Sequence, residues 1–291
     1  MNSPDYEYYH EKKSHVSENF PYNTYLCTIP LDFSHVNTHW HEEAELIIIK
    51  KGCGRIFVDL QQYTVLAGDI ILVLPGQLHS ISQHEDDYME YENILFSPGL
   101  LYGNGQDYCT SGLLRPFFEN NFVFPVHINK SFGIYSQLYS CISSIDRLRS
   151  APAPGHELGI KGHLFQFFSL LFTNLIDTSS RKPANRQAAK LKEILCYIHI
   201  HHSEQLAPSD AASAAGFSTS HFMKFFKNHM GCTFTEYLND YRLSSACTLL
   251  STTDKPVLEI SYETGFTNLS YFNRLFKKKY GISPRIYRKS L

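Results

Sequence analysis

Gly265–Arg288 reads GFTNLSYFNRLFKKKYGISPRIYR, and its signature occurs twice in the chain. Phe222, Phe226, Lys227, Gly231, Thr233 and Tyr237 recur fifty residues later as Phe272, Phe276, Lys277, Gly281, Ser283 and Tyr287. Gly216-Phe217 recurs forty-nine residues later as Gly265-Phe266. Two copies are too few for a solenoid, so one supersecondary unit is duplicated. Ala212, Gly216 and Phe222 fit a helix-turn-helix: a small residue for close helix approach, a turn glycine and an apolar anchor. Ser261, Gly265 and Tyr271 take those roles in the second copy, whose second helix is then one residue longer at its start. Helical spacing turns Phe222, Phe225 and Phe226 inward, with Phe272, Leu275 and Phe276 as their counterparts. Ser220, Met223, Lys224 and Lys227 face out of the first copy, and Ser270, Asn273, Arg274 and Lys277 out of the second. Ser218, and Thr267 or Asn268, are the candidate N-caps.

Charge separates this region from the rest. Residues 181–291 hold 16 basic and 8 acidic side chains, and residues 1–180 hold 10 and 20, so a net charge of -2 hides +8 against -10. Such asymmetry points the basic part at a polyanion. A DNA major groove admits one helix, and its base edges accept hydrogen bonds from Arg, Lys, Asn and Ser, while Met223 suits a thymine methyl. Lys227, Lys277, Lys278 and Lys279 would neutralise phosphates.

These motifs, with Arg242, Ala246 and Leu249-Leu250 before them and above all the closing FKKKYGISPRIYR, resemble the AraC family of bacterial transcription regulators over about 100 residues. The resemblance implies a long helix over 234–250 that spaces two recognition helices about 34 Å apart, into successive major grooves of double-stranded promoter DNA. It implies base-contacting positions at Ser220, Met223 and Lys224 and at Leu269, Ser270, Asn273 and Arg274.

Upstream, ELIIIK (45–50), RIFVDL (55–60) and DIILVL (69–74) are short β-branched runs punctuated by Gly52, Gly54, Gly68 and Pro75-Gly76. This predicts an all-β sandwich or barrel from about 22 to 126. Apolar residues then recur every three or four positions over 132–148 and 157–176, predicting two amphipathic helices. The polar stretch TSSRKPANRQAA (178–189) reads as a linker. The expected fold is therefore two-domain: an N-terminal arm (1–21), an all-β barrel plus two helices (22–177), the linker, and an all-α tandem helix-turn-helix domain (190–291).

His39-Trp-His41-x3-Glu45, and Gly68-Asp69 followed by Pro75-Gly76-x2-His79, resemble the two motifs of the cupin barrel. In metal-binding cupins these three His and the Glu converge on a divalent ion, and the ligand types suit Zn, Fe, Ni or Mn. In sensor domains of AraC regulators the same positions line a polar effector pocket. We therefore expect His39, His41, Glu45 and His79 to bind an effector, a sugar being one candidate, with no cofactor; metal ligation by the same four remains open. The helix pair either forms a homodimer contact or packs on the barrel. Tyr6, Tyr8 and Tyr9 of the arm could close over a ligand.

Composition excludes other classes. With 43% hydrophobic residues the chain is not globally disordered. Seven scattered cysteines without a CxxC pair argue against a disulfide framework or a structural zinc module. No secretory signal or membrane span is legible, so a cytoplasmic protein is expected. The expected function is a sequence-specific regulator and not an enzyme, meeting RNA polymerase if it activates. The alternative is a metal-dependent cupin enzyme carrying a DNA-binding tail.

Overall fold

The structure, a computed structural model, describes residues 16, 19–32, 35–103, 107–181, 183 and 185–289. The tyrosines of the arm lie outside the described residues. The chain forms two compact units, Glu11–Ala184 and Asn185–Leu291.

The first unit runs β1 (Tyr22–Ile29), β2 (His35–His39), β3 (Ala44–Val58), β4 (Gln61–Leu66), β5 (Ile70–Val73), β6 (His79–Gln83) and β7 (Met89–Phe96). The expected β region is strand-built to residue 96. It then gives way to a 3-10 turn at Pro98–Leu100, a π-helical stretch at Cys109–Leu114 and a short helix α1 (Arg115–Phe118). Leu114, Phe117 and Phe118 are buried there at helical spacing, not alternating. Short strands β8 (Phe122–Val123) and β9 (His127–Ile128) follow, then helices α2 (Tyr135–Ser150) and α3 (His156–Asn174).

The long strand β3 organises the unit. Its first half pairs antiparallel with β5 and β7, and its second half with β4 and β6. Its run of isoleucines does not alternate because both faces are covered. Ala44, Leu46 and Ile48 join Ile94 and Phe96 against Leu138, Ile142 and Ile145 of α2 and Leu164, Phe167, Phe168 and Leu171 of α3. Ile47 and Ile49 point the other way, onto Val36, Ile56, Val58, Ile71, Ile81 and Tyr91 inside the barrel. The buried stripes of the two helices therefore pack on the sheet. Strand β10 (Asp177–Arg181) pairs with β8, so the polar segment read as linker begins inside a strand and ends in the first turn of α4 (Arg186–His201).

The second unit continues with α5 (Pro208–Ala214), α6 (Thr219–Met230), α7 (Phe234–Thr252), α8 (Val257–Glu263), α9 (Leu269–Tyr280) and α10 (Pro284–Lys289). α5–α6 and α8–α9 are the two helix-turn-helix motifs. α6 and α9 both have 12 residues, fifty apart, so the second is not longer at its start. The additional residue lies in the turn, where Thr267 separates Phe266 from the N-cap Asn268. Ser218 accepts from the His221 N–H at 3.3 Å and Asn268 from the Tyr271 N–H at 2.9 Å, so both caps close the first turn. The anchor of the second motif is consequently Phe272, fully buried like Phe222, whereas Tyr271 is exposed. Gly231 and Gly281 recur because each ends a recognition helix in the left-handed conformation, at φ +71° and +74°.

α7 joins the motifs. Its first half packs Phe234 and Tyr237 edge-on to Phe226, and its second half buries Leu243, Ala246 and Leu250 with Phe266, Phe272 and Phe276. Nineteen residues make it about 28 Å long. Arg242 ties it to the chain after α4, donating from Nε to the His202 carbonyl and from Nη2 to the Glu204 carbonyl, both at 2.7 Å.

Gly265 shows how tightly this junction is built. It sits at φ +91°, and a Cβ there would lie 2.5 Å from the His202 carbonyl oxygen and 2.7 Å from Arg242 Nε. Gly216 is also left-handed, at φ +69°, but faces open space. Gly265→Ala is expected to cost about 2–4 kcal/mol, strain plus overpacking, against about 1 kcal/mol of strain for Gly216→Ala. Urea unfolding of both variants checks this, and a cost at Gly265 no larger than at Gly216 would contradict it.

Candidate DNA interface and the histidine cluster of the barrel

On α6, Ser220, Lys224 and Lys227 are exposed and Met223 is half-buried; on α9, Ser270, Arg274 and Lys277 are exposed and Asn273 half-buried. The faces fall as the spacing predicts because Phe222, Phe226, Phe272 and Phe276 are wholly buried. Among the described residues no carboxylate lies in ion-pair range of Lys224, Lys227, Arg274 or Lys277. Lys190, Lys255 and Lys279, in contrast, each lie within 4 Å of one. Lys279 is turned to Asp240 on α7, at 3.8 Å, and is not an outward-facing lysine like Lys277. Leu269, half-buried like Met223 and Asn273, packs against the apolar core of the second motif.

Arg274 has a support that the helical spacing alone does not show. Its guanidinium lies 5.3 Å from the centroid of the exposed Tyr271 ring, and the Tyr271 hydroxyl accepts from Asn239 Nδ2 of α7 at 3.0 Å. A cation over an aromatic face is held without an acid, so its charge remains available. The ring lies three residues before Arg274, but its anchoring by Asn239 spans 32 residues to α7 and leaves no local pattern.

The barrel brings together His39, His41, Glu45 and His79, all buried. His39 and His79 face each other across β2 and β6, with ring centroids 4.1 Å apart. His41 Nε2 and His79 Nε2 approach the same Glu45 oxygen at 3.4 and 3.1 Å. Each ring sets its other nitrogen against a backbone carbonyl: His39 Nδ1 on Asn37 at 2.9 Å, His41 Nδ1 on Glu43 at 3.1 Å and His79 Nδ1 on Gln77 at 2.9 Å. A carbonyl only accepts, so Nδ1 carries a proton in each ring; Nε2 then offers a lone pair where the ring is neutral and an N–H to Glu45 where it is charged.

The second motif supplies the frame. Gly76, at φ +71°, donates its N–H to the His41 carbonyl at 2.8 Å, and Gln77 clamps the turn by accepting from the Leu74 N–H and donating to Asp59. Asp69 is a structural residue of this motif, accepting from the Leu66 N–H at 3.0 Å and meeting His127 Nε2 at 2.7 Å. Burial and the neighbouring imidazoles hold His39 well below the usual histidine range. Burial raises the Glu45 carboxyl, but its contacts with His41 and His79 outweigh this and hold it below the carboxylate range. A neutral imidazole, further Nε2 lone pairs and a carboxylate fit a divalent cation, and one nitrogen from each ring lies within 4.8 Å of the other two. The same groups can accept hydroxyl hydrogen bonds from a polar organic molecule.

A β-barrel with a buried polar cluster, followed by a basic tandem helix-turn-helix unit, defines a DNA-binding regulator with a sensing half. Residues 30–168 match the model of an AraC-like ligand binding domain, and residues 211–290 that of a helix-turn-helix domain. The chain is 24% identical to the uncharacterized HTH-type transcriptional regulator YdeC of Bacillus subtilis, over 96% of this chain and 95% of that protein. It is 25% identical to the HTH-type transcriptional activator RhaS of Salmonella typhimurium, over 85% of each. Among solved structures, the DNA-binding domain of AdpA in complex with a target DNA is 28% identical, covering 35% of this chain and 91% of that one, with a TM-score of 0.34. The chain belongs to the AraC family of transcription regulators, as a DNA-binding protein with a ligand-binding domain. No helix among the described residues is long and apolar enough to cross a membrane.

Proposed function

We propose that this regulator senses a small polar effector through His39, His41, Glu45 and His79 and answers by changing how α6 and α9 engage promoter DNA in the cytoplasm. The observation that carries this reading is the convergence of four buried polar side chains inside the barrel. Imidazole nitrogens and a carboxylate gathered at one buried point offer a polar ligand several hydrogen bonds there. A sugar is the first candidate class, because its hydroxyls match Nε2 and carboxylate acceptors. The second reading is a divalent cation, favoured by the three Nδ1–carbonyl contacts that aim Nε2 inward. In either case the barrel senses and does not catalyse.

On the DNA side, Ser220, Met223 and Lys224 of α6 and Ser270, Asn273 and Arg274 of α9 meet base edges, while Lys227 and Lys277 neutralise phosphates. Leu269 is left out because it packs inward. A homodimer is supported by α3, where Leu158, Gly162 and Phe165, spaced four and three apart, remain exposed after the helix has packed on the sheet. Similarity to a protein named as an activator supports activation, with RNA polymerase as the partner.

Thermal unfolding of the full chain with a panel of sugars, small acids and divalent cations tests the sensing role. One class should stabilise the wild type by about 2–3 kcal/mol at a hundredfold excess over Kd, and should not stabilise Glu45→Gln. Equal stabilisation of both proteins, or none by any class, would contradict the assignment.

A further inference from the structure

At the far end of β6 the structure holds a second group of ligating side chains. β3 carries the triplet Gly52-Cys53-Gly54 beside the turn that joins β6 to β7. Gly52 sits at φ +73°, where a Cβ would lie 1.8 Å from the Tyr88 carbonyl oxygen, and a Cβ at Gly54 would lie 2.4 Å from Met89 Sδ. The two glycines thus let the turn close onto the strand, and the Cys53 N–H donates to the Tyr88 carbonyl at 3.1 Å. The turn itself is closed by the Asp87 N–H on the His84 carbonyl at 3.0 Å, with Glu85 held at φ +50°. Cys53 Sγ then donates to Asp87 Oδ2 at 2.9 Å, and His84 Nδ1 stands 3.8 Å from that same oxygen. Nδ1 is buried and makes no hydrogen bond. One ligand atom from each of the three residues lies within 4.8 Å of the other two.

We propose that Cys53, His84 and Asp87 bind a thiophilic divalent cation of the zinc class, with water completing a four-coordinate set on the exposed Asp87 side. Sulfur, imidazole and carboxylate are the donors such an ion takes, and thiolate and carboxylate together balance its two charges. Binding releases the Cys53 S–H proton to solvent, since the thiolate is the ligand. The bound ion ties the 84–88 turn to β3. This site is separate from the histidine cluster: His79 opens β6 and His84 follows its end, about 16 Å along the strand.

Cobalt tests the proposal, because only a thiolate ligand gives a sulfur-to-cobalt charge-transfer band and the histidine cluster contains no sulfur. The reduced, chelator-treated full chain should develop this band to one equivalent of Co2+ and lose it on adding Zn2+. Cys53→Ser should abolish it, and His84→Gln and Asp87→Asn should each weaken Co2+ binding about tenfold or more. The Cys109→Ser/Cys196→Ser and His39→Gln/His79→Gln double variants should keep it. Absence of the band in the wild type, its persistence in Cys53→Ser, or unchanged affinity in His84→Gln would overturn the assignment.

Discussion

Replacing Lys224 and Arg274 together by alanine should reduce the affinity of the full chain for its selected duplex by about 2–6 kcal/mol, the sum of two base contacts at about 1–3 kcal/mol each. The duplex would be selected by the chain itself from a random pool. The two contributions should add, because the residues lie on different helices and share no partner. The loss should be much smaller on random duplex, since a base contact contributes discrimination while a phosphate contact contributes to all sequences alike. Lys227→Ala and Lys277→Ala should behave in the opposite way, weakening both duplexes and lowering the salt dependence by about one phosphate each. Retardation measured at several salt concentrations separates the two behaviours. Equal losses on selected and random DNA for the Lys224/Arg274 pair would reassign both to phosphate.

The second large effect is one of stability. Glu92, on the helix-facing side of β7, is 2% exposed. Lys50 Nζ meets Glu92 Oε2 at 2.5 Å and Asp146 of α2 at 2.9 Å, and Arg149 of α2 reaches the other Glu92 oxygen at 3.0 Å. Burial pushes the Glu92 carboxyl up and Asp146 adds to this, against the pull of Lys50 and Arg149. Lys50→Ala removes the cation between two acids and leaves Glu92 buried with only the more exposed Arg149. The expected cost is about 3 kcal/mol, the low end for breaking a buried pair because one partner remains. Lys50→Met with Glu92→Leu should recover most of it, since no buried charge is then stranded. A shift of the urea midpoint with unchanged slope measures this; a cost under about 0.5 kcal/mol, the ordinary size for a surface substitution, would mean that α2 is held by its apolar stripe alone.

These features differ in how far they can be read from sequence. The tandem motifs are legible because each repeated residue does something local: Gly231 and Gly281 end a helix, and Phe222, Phe226, Phe272 and Phe276 fill its inner face. The forty-nine-residue spacing of Gly216-Phe217, carried past the turn, points to Tyr271, one residue early, because this turn holds one residue more. The cap at Asn268 restores the spacing of fifty. The cluster of His39, His41, Glu45 and His79 is legible as two spaced motifs, although the carbonyls that orient each ring are backbone groups and leave no trace in composition. The Lys50–Glu92–Asp146–Arg149 network joins residues up to 99 positions apart. Cys53 meets Asp87 across 34. Tertiary packing alone brings these together, and neither follows from any periodicity.

On the proposed function, one chain reads DNA with α6 and α9 as two separate probes. Footprinting of the full chain on its selected duplex tests it most directly. Two protected patches are expected on one face, about 10 base pairs apart, with Lys224→Ala weakening one patch and Arg274→Ala the other. A single continuous patch, or both substitutions weakening the same one, would contradict it.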